Sequence, residues 1–397
     1  MKTAVAKPTL ILLLFTLFIS SHRISAQFPT DSAEMYLLTL SPGSETYEAF
    51  GHSAIRVYDR KQGINFVYNW GTFDFSTSNF YPKFLFGRLL YYLSIDDYRD
   101  FFMAYKMYGR AMWEQKLNLS NKEKWQLFNN LQLNYQMENR FYRYAFFRDN
   151  CSSRIRDIIE KSVDGRVIYD SSLIKRPESF RQLFSACLDF REPWPLFGMD
   201  VLMGKRTDNK ATLKDHMFLP EYLMNLLATA KVSTNGSTKI LTEKPIEVFP
   251  ATLTFPKPNP WTSPTSVFWA LFCLTLVFTY IGFKKKRYFK WFDVILFLIT
   301  GLLGLLLLVL MSYSLHDELW SNYNVVWANP LNLIFMVGLF IKTKPTWLVY
   351  LMRAYGVLLV IFIPASFLLT QVIPGAAYPL MGMLLLRVAK AQMIQHN

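Results

Sequence analysis

Cysteine is scarce in this chain of 397 residues, which contains only Cys151, Cys187 and Cys273. Three cysteines can form one pair at most, so the sequence excludes a disulfide framework. The five histidines do not combine with the cysteines into any cluster that has the ligand spacing of a zinc site. We therefore predict a protein that uses neither a metal nor an organic cofactor.

Charged side chains are also under-represented, at 18% of the chain, whereas hydrophobic residues make up 52%. This composition is too apolar for a protein that is soluble throughout, and too polar for a bundle of membrane helices alone. The net charge of +14 would suit a nucleic-acid partner, but basic residues gather at the ends of apolar runs. A membrane explains that distribution better, and we expect no nucleic-acid partner.

Long apolar runs fill the last third of the chain. They occupy residues 265–283, 292–311, 330–341, 346–370 and 376–389. Because a helix needs about 20 apolar residues to cross a bilayer, these runs predict a transmembrane domain over 265–391 with about five helices. The third run is short, which leaves four spans as the alternative.

The loops between these runs differ in charge, and the difference predicts their orientation. Residues 284–287 are all basic, and Lys342 and Lys344 follow the third run. The loops 312–329 and 371–375 contain no lysine or arginine. Since cytoplasmic loops carry the excess of basic residues, we predict a multi-pass protein of the cytoplasmic (inner) membrane whose preceding domain faces the periplasm.

The first 26 residues have the pattern of a secretory signal peptide. Lys2 and Lys7 precede an apolar stretch at 10–19, and Ser25 and Ala26 offer a cleavage site. The alternative is a first transmembrane anchor, for which the apolar stretch is short. A signal peptide agrees with the orientation that the loop charges predict.

Residues 27–230 have the alternating pattern of strands and helices, which predicts an α+β periplasmic domain. The predicted strands cover 35–40, 50–58, 64–70 and 111–119, and the predicted helices cover 94–105 and 120–139. Residues 231–264 contain six prolines, and we predict that they form an extended linker without a core.

A helix that begins at Cys151 is the first candidate for chemistry. Asp149 and Asn150 are residue types that cap helices, and the apolar residues after them recur at helical spacing. These apolar residues are Ile155, Ile158, Ile159 and Val163. A thiol in the first turn of a helix lies near unpaired backbone N–H groups and the positive end of the helix dipole, which lower its pKa. Cys151 is therefore the predicted nucleophile, and the N–H groups at this helix start are the predicted oxyanion hole.

His52 is the predicted base. It begins a strand next to Gly51, where the missing side chain allows another backbone or a substrate to approach closely. A histidine on a strand that faces a cysteine at a helix start is the arrangement of a thiolate–imidazolium pair. A third group normally orients the imidazole; Asn69 on the returning strand is our prediction, and Asn65 on the same face is its rival. Alternatively, Cys151 and His52 are core residues without a catalytic role.

The order of these motifs resembles known families. A histidine in the 51–57 motif, followed far along the chain by Asn150-Cys151, resembles the circularly permuted papain-like (NlpC/P60-type) hydrolases and acyltransferases. Residues 34–230 look more closely like the Lnb N-terminal periplasmic domain of Bacteroidota. The matching features are 50–52, 68–75, Asn150-Cys151, Asp200, Asp208 and 218–220, and in the apolar region His316, Asn322, Asn324 and 329–331. The resemblance covers nearly the whole chain after the signal peptide.

This resemblance implies lipoprotein N-acyltransfer. An acyl chain would move from a membrane phospholipid, through a Cys151 thioester, to the α-amine of the diacylglyceryl-cysteine of a lipoprotein. The predicted partners are therefore the phospholipid donor, the diacylated lipoprotein acceptor and the bilayer itself. The predicted substrate contacts are Asn150, Tyr68, His316, Asn322 and Asn324. Two alternatives remain: an envelope cysteine peptidase or amidase that acts on cell-wall peptides, and a non-enzymatic envelope assembly module.

Overall fold

The computed structural model describes residues 29–188, 191–234, 236–285 and 289–393. The predicted signal peptide lies outside these residues. Within them, an N-terminal domain of sheet and helix precedes a C-terminal helical region. The prediction of an α+β domain followed by a helical membrane region is confirmed, and its circularly permuted papain-like assignment stays a prediction.

A seven-stranded antiparallel sheet lies at the centre of the described N-terminal domain. Its strands are β1 Glu34–Leu40, β2 His52–Asp59, β3 Ile64–Thr72, β4 Leu90–Asp97, β5 Met112–Lys116, β6 Phe141–Arg143 and β10 Ile246–Phe249. They lie in the order β10-β5-β1-β2-β3-β4-β6. A smaller sheet contains β7 Arg166–Ile168, β8 Lys231–Thr234 and β9 Ser237–Ile240. The predicted base and its predicted partner therefore lie on the neighbouring central strands β2 and β3.

Helices cover both faces of the large sheet. In the described part of this domain they are α1 Phe80–Leu85, α2 Tyr98–Met107, α3 Asn121–Tyr135, α4 Cys151–Ser162, α5 Phe180–Leu188, α6 Pro193–Leu202, α7 Leu213–His216 and α8 Pro220–Thr229. Side chains of β2 alternate between the two faces. Ile55 packs in one core with Ile155 of α4, whereas Ala54 packs in a second core with Phe101 of α2. The Cys151 helix and α2 thus lie on opposite faces of the large sheet. The site forms at the end of β2, where side chains from both faces come together.

The prediction of a helix over 94–105 is wrong for its first residues. β4 continues to Asp97, and α2 begins only at Tyr98. The Asp97 carboxylate caps α2 by accepting the backbone N–H of Arg99. Ser94 pairs with Asn69 in the ladder between β3 and β4. Strand pairing therefore outweighs the local helical pattern up to the first residue that can cap a helix.

The prediction of a coreless linker is wrong for residues 231–249. β8 and β9 form a hairpin that pairs with β7, and β10 pairs with β5 at the edge of the large sheet. Val232 and Leu241 are fully buried. Pro245 and Pro250 flank β10 and do not fall within it, so they remove no hydrogen bond from its ladder. The proline-rich connection is therefore limited to residues 250–264, a little under half of the predicted linker.

The described C-terminal helices are α9 Pro264–Lys284, α10 Lys290–Tyr313, α11 Leu331–Gly338, α12 Thr346–Ala365 and α13 Ala377–Met393. Three stretches in the described residues are long and apolar enough to cross a membrane, namely Pro264–Lys284, Lys290–Tyr313 and Thr346–Leu368. The eight residues of α11 rise about 12 Å at about 1.5 Å per residue, against a hydrocarbon core of roughly 30 Å. The third predicted run therefore does not form a crossing helix by itself.

A buried ion pair connects three of these helices. Arg387 of α13 and Asp293 of α10 are both fully buried and form a salt bridge. Arg387 also donates through Nη1 to Oγ1 of Thr279 in α9, at 3.0 Å. Because each charge is paired in an apolar bundle, this contact fixes how α13 lies against its neighbours.

Both outer loops of the helical region pack against the N-terminal domain. The backbone N–H of Leu315, directly after α10, donates to the carbonyl of Phe86 at 3.0 Å. Gln371, which follows α12, donates through Nε2 to the carbonyl of Met203 at 3.3 Å. These are the loops that lack lysine and arginine, so the structure places them on the same side of the spans as the N-terminal domain.

Candidate functional site

Asn150 caps the helix that presents Cys151. Its Oδ1 accepts the backbone N–H groups of Ser152 and Ser153 at 3.0 and 2.9 Å. Its Nδ2 donates to the carbonyls of Phe146 and Phe218 at 2.9 and 2.7 Å. The predicted cap is confirmed. The predicted substrate contact through this side chain is wrong, because its donors and its acceptor are already used within the protein.

The Cys151 thiol is buried, with only 6% of the residue exposed. Burial opposes ionisation, but the charge of His52 and a hydrogen bond to its imidazole favour the thiolate. Hydrogen bonds from the backbone N–H of Ser53 and the Ser152 hydroxyl favour it further, and together these groups lower the pKa of Cys151 to about 7. The structure thus brings the predicted nucleophile and the predicted base into hydrogen-bonding contact.

The imidazole of His52 is held from its other side by Asn69. Nε2 of His52 lies 2.6 Å from Oδ1 of Asn69, which leaves Nδ1 as the nitrogen available to the thiol. The rival candidate Asn65 instead accepts the Nε–H of Arg56 at 2.9 Å. The structure therefore brings together Cys151, His52 and Asn69. The thiol contacts the imidazole and Asn69 orients it, which is the arrangement of a nucleophile, a base and an orienting group in a triad.

Sequence reasoning missed three side chains that support this arrangement, those of Asp96, Ser94 and Tyr105. Asn69 donates through Nδ2 to Oδ2 of Asp96 at 3.4 Å, and the Ser94 hydroxyl donates to the same carboxylate at 3.2 Å. The rings of His52 and Tyr105 are parallel, with centroids 6.5 Å apart. Ser94 and Asp96 are two residues apart on β4, so their side chains point to the same face of the sheet. The prediction of a helix over 94–105 concealed this spacing.

Two serines adjacent to His52 and Cys151 attach α4 to β2. The hydroxyl groups of Ser53 and Ser152 lie 3.0 Å apart, and both residues are fully buried. Ser53 directly follows His52 and Ser152 directly follows Cys151. This contact therefore sets the distance between nucleophile and base through two short backbone connections.

Tyr68 does not face the site. It is 2% exposed and lies in the core of the α4 face, where its hydroxyl accepts the Nε2–H of Gln132 at 2.6 Å. Successive residues of a strand point to opposite faces, so Asn69 on the site face places Tyr68 in the core. The prediction that Tyr68 contacts the substrate is wrong.

Asn322 and Asn324 hold the outer loop of the membrane domain to α6. Asn322 donates through Nδ2 to the carbonyls of Val201 and Leu202 at 2.7 and 2.8 Å. Asn324 donates to the carbonyl of Val201 at 3.1 Å, and its Oδ1 accepts the Nε1–H of Trp327. Both asparagines are buried, so the prediction of substrate contacts is wrong and their amides satisfy backbone carbonyls at the domain junction.

His316 lies at the same junction. Its Nε2 is 2.9 Å from the carbonyl of Phe84 at the end of α1, and its Nδ1 is 4.0 Å from the carboxylate of Glu318. Burial raises the pKa of Glu318. No contact recorded for the described residues joins His316 to Cys151 or His52, and its part in substrate binding stays a prediction.

The remaining cysteines are unpaired and lie elsewhere. All three are free thiols. Burial raises the pKa of Cys187 to about 11, so it is a poor nucleophile beside Cys151. Among the described residues, no group of three or more histidine, cysteine or acidic side chains is placed to hold a metal ion.

Family models match both parts of the chain. The model described as the Lnb N-terminal periplasmic domain matches residues 20–186, and the model described as the Lnb transmembrane domain matches residues 257–397. Comparison with curated proteins and with solved structures gave no match. The first matched segment contains Cys151, His52 and Asn69, and the two segments together cover well over half of the chain. The chain therefore belongs to the Lnb family, as a membrane protein with a periplasmic domain.

Proposed function

We propose that this protein is a lipoprotein N-acyltransferase of the cytoplasmic membrane that works through a thioester on Cys151. The observation that carries the proposal is the buried Cys151–His52 contact, oriented by Asn69, in a domain that is hydrogen-bonded to the outer loops of a membrane domain. A thiol with a pKa near the ambient pH combines a large thiolate fraction with high nucleophilicity.

In the first half-reaction, the Cys151 sulfur attacks the carbonyl carbon of a phospholipid ester. The C–S bond forms and the ester C–O bond breaks, giving an acyl-thioester and a lysophospholipid. His52 takes the thiol proton and returns it to the leaving oxygen. Asn69 keeps the imidazole aligned through both transfers.

In the second half-reaction, the α-amine of a diacylglyceryl-cysteine attacks the thioester carbon. The C–N bond forms, the C–S bond breaks, and His52 accepts the proton that the amine loses. The product is a triacylated lipoprotein, and the thiolate is regenerated. Burial of the thioester would limit its hydrolysis by water.

The oxyanion hole needs a revised assignment. The N–H groups of Ser152 and Ser153 are occupied by the Asn150 side chain, so they do not serve the substrate. Cys151 is the first residue of α4, where helix N–H groups have no partner within the helix. We assign the stabilising donor to the Cys151 N–H, which has no hydrogen bond among those recorded for the described residues.

Two further features agree with the proposed acyltransferase function. His52 on a strand precedes Cys151 on a helix along the chain, which is the order of the circularly permuted papain-like acyltransferases. The Lnb models match the periplasmic domain and the transmembrane domain together. A donor in the bilayer and an acceptor anchored to it are substrates that such a two-part protein can reach.

Mass spectrometry of lipoprotein N-termini tests the proposal. Cells that lack the protein, cells that produce it and cells that produce Cys151→Ala are compared, with Cys187→Ala as the matched cysteine control. We expect triacylated lipoproteins and new lysophospholipid only with the wild type and the Cys187 variant. Release of cell-wall peptides without lysophospholipid would show a peptidase instead, and full function of Cys151→Ala would show a scaffold.

A further inference from the structure

A series of aromatic rings begins at the nucleophile. Gly71 has a positive φ of 91°, and a Cβ there would lie 3.9 Å from Cβ of Cys151 and 3.5 Å from the ring of Tyr144. Tyr144 stacks at a tilt against Tyr91, with ring centroids 4.6 Å apart. Tyr91 in turn contacts Phe73 at 5.3 Å. Aromatic rings in contact therefore run from Tyr144, near Cys151, to Phe73, which directly follows β3.

The series continues outward through four phenylalanines, which we call the aromatic path: Phe73, Phe75, Phe80 and Phe84. The ring centroids of Phe73 and Phe75 are 5.0 Å apart, those of Phe75 and Phe80 are 4.8 Å apart, and those of Phe80 and Phe84 are 6.3 Å apart. Phe73 and Phe80 are half-buried, whereas Phe75 is 59% and Phe84 is 50% exposed. Two rings of the path, Phe75 and Phe84, thus present part of their apolar surface to the outside.

The outer end of the aromatic path adjoins a candidate membrane span. The carbonyl of Leu85 accepts the hydroxyl of Ser314 at 3.2 Å, and Ser314 directly follows α10. The carbonyl of Phe84 lies 2.9 Å from Nε2 of His316. Since α10 is long and apolar enough to cross a bilayer, these bonds place Phe84 beside the end of a candidate membrane span.

We propose that the aromatic path is the route by which the acyl chain of an outer-leaflet phospholipid reaches Cys151. The inference rests on the proposed function and adds the part of the protein that receives the chain. A phospholipid whose acyl chain lies along these rings keeps its methylene groups out of water while its ester reaches the buried thiol. The continuity of the path with the end of α10 indicates a membrane lipid as its occupant.

The test compares two substrates of the same thiol. Purified full-length protein in detergent is given a phospholipid with sixteen-carbon chains, and separately a water-soluble acetyl ester that needs no apolar route. We expect Phe75→Asp and Phe84→Asp to lower lysophospholipid release at least about tenfold relative to each variant's own rate with the acetyl ester. Phe75→Leu keeps apolar surface and should retain the wild-type ratio. Met107→Asp is the control, since Met107 is 80% exposed on α2 and has no recorded contact with the path.

An unchanged ratio in both Asp variants would overturn the aromatic path while leaving the acyltransferase proposal intact. An equal loss with both substrates would also overturn it, because that result would indicate damage to the catalytic site. If the wild type reacts with the acetyl ester but never releases lysophospholipid, then the proposed function itself has failed.

Discussion

Oδ1 of Asn69 lies 2.6 Å from Nε2 of His52, and the same side chain donates to Asp96. An amide oxygen accepts a hydrogen bond and cannot donate one, so this contact favours the tautomer with the proton on Nε2. Nδ1 is then the unprotonated nitrogen, which is able to accept the proton of the Cys151 thiol. Asp96 holds the Asn69 amide in the matching orientation, and two side chains on neighbouring strands thus set the direction of proton transfer.

Replacement of Asn69 by alanine should therefore impair catalysis without unfolding the domain. We expect acyl transfer to fall by about 10- to 100-fold, the loss that follows when the hydrogen-bond partner of a metal-binding histidine is removed. The readouts are steady-state transfer and the pH profile of Cys151 alkylation, whose midpoint should rise as the imidazole loses its fixed orientation. Asn65→Ala is the matched control on the same strand face, because Asn65 bonds to Arg56. Equal losses in both variants would contradict the assignment of Asn69.

The reactivity of Cys151 should depend on pH with a midpoint near 7. The thiolate is the reactive form, and the pKa of Cys151 is lowered to about 7 because the His52 contacts outweigh the effect of burial. Alkylation by iodoacetamide should be slow below this pH, rise through it and level off above it. In His52→Ala the charge and the hydrogen bond that most favour the thiolate are lost while burial still opposes ionisation, so the midpoint should rise.

Cys187 provides an internal comparison for this measurement. Its pKa is raised to about 11 by burial, so peptide mapping should find Cys151 labelled at pH 7 and Cys187 unlabelled. A midpoint for Cys151 near the ordinary thiol value in the wild type, or equal labelling of both cysteines, would contradict the thiolate–imidazolium pair.

Asn322 should contribute more to the junction between the two domains than Asp317 does. Asn322→Ala removes the donor to the carbonyl of Leu202 and one of the two donors to the buried carbonyl of Val201, which also accepts from Asn324. A polar group that is left unsatisfied costs about 1–3 kcal/mol. The ion pairs of Asp317 with Arg148 and Arg206 are 3.7 and 3.5 Å long and partly exposed, so Asp317→Asn should cost under about 1 kcal/mol. Thermal unfolding and limited proteolysis in detergent measure the difference. A larger effect of Asp317→Asn would show that charge, and not the buried amide, holds the junction.

His316→Ala should lower acyl transfer while the protein remains abundant in the membrane. Its Nε2 bond to the carbonyl of Phe84 ties the end of α1 to the outer loop, and this loop is the predicted place of the phospholipid headgroup or the lipoprotein. His316→Gln retains a donor at a similar reach and should restore part of the activity. Quantitative immunoblotting of membranes alongside transfer assays separates loss of activity from loss of protein, and unchanged transfer in His316→Ala would remove this residue from the mechanism.

The sequence specified the local elements of the site. The Asn150 cap, the start of the Cys151 helix and the strand that begins at His52 all follow from residue types and spacings within a few positions. The charge of the loops likewise indicated which of them would lie beside the periplasmic domain. Alternation along β3 allowed either Asn69, our prediction, or its rival Asn65 as the group that orients His52, because both share the face of the base.

Only the tertiary structure separated that pair, since Asn65 lies opposite Tyr58 in the β2–β3 ladder and bonds to Arg56. The contact of Asn69 with Asp96 across neighbouring strands is also visible only in the structure. Tyr68 lies in the core, and Asn322 and Asn324 donate hydrogen bonds that join the two domains. Residues 231–249 of the predicted linker contain strands because they pair with distant strands of the two sheets. Sequence pattern reports the preferences of neighbours along the chain, whereas the partner of a polar side chain is set by which distant backbone and side-chain groups packing brings within about 3 Å.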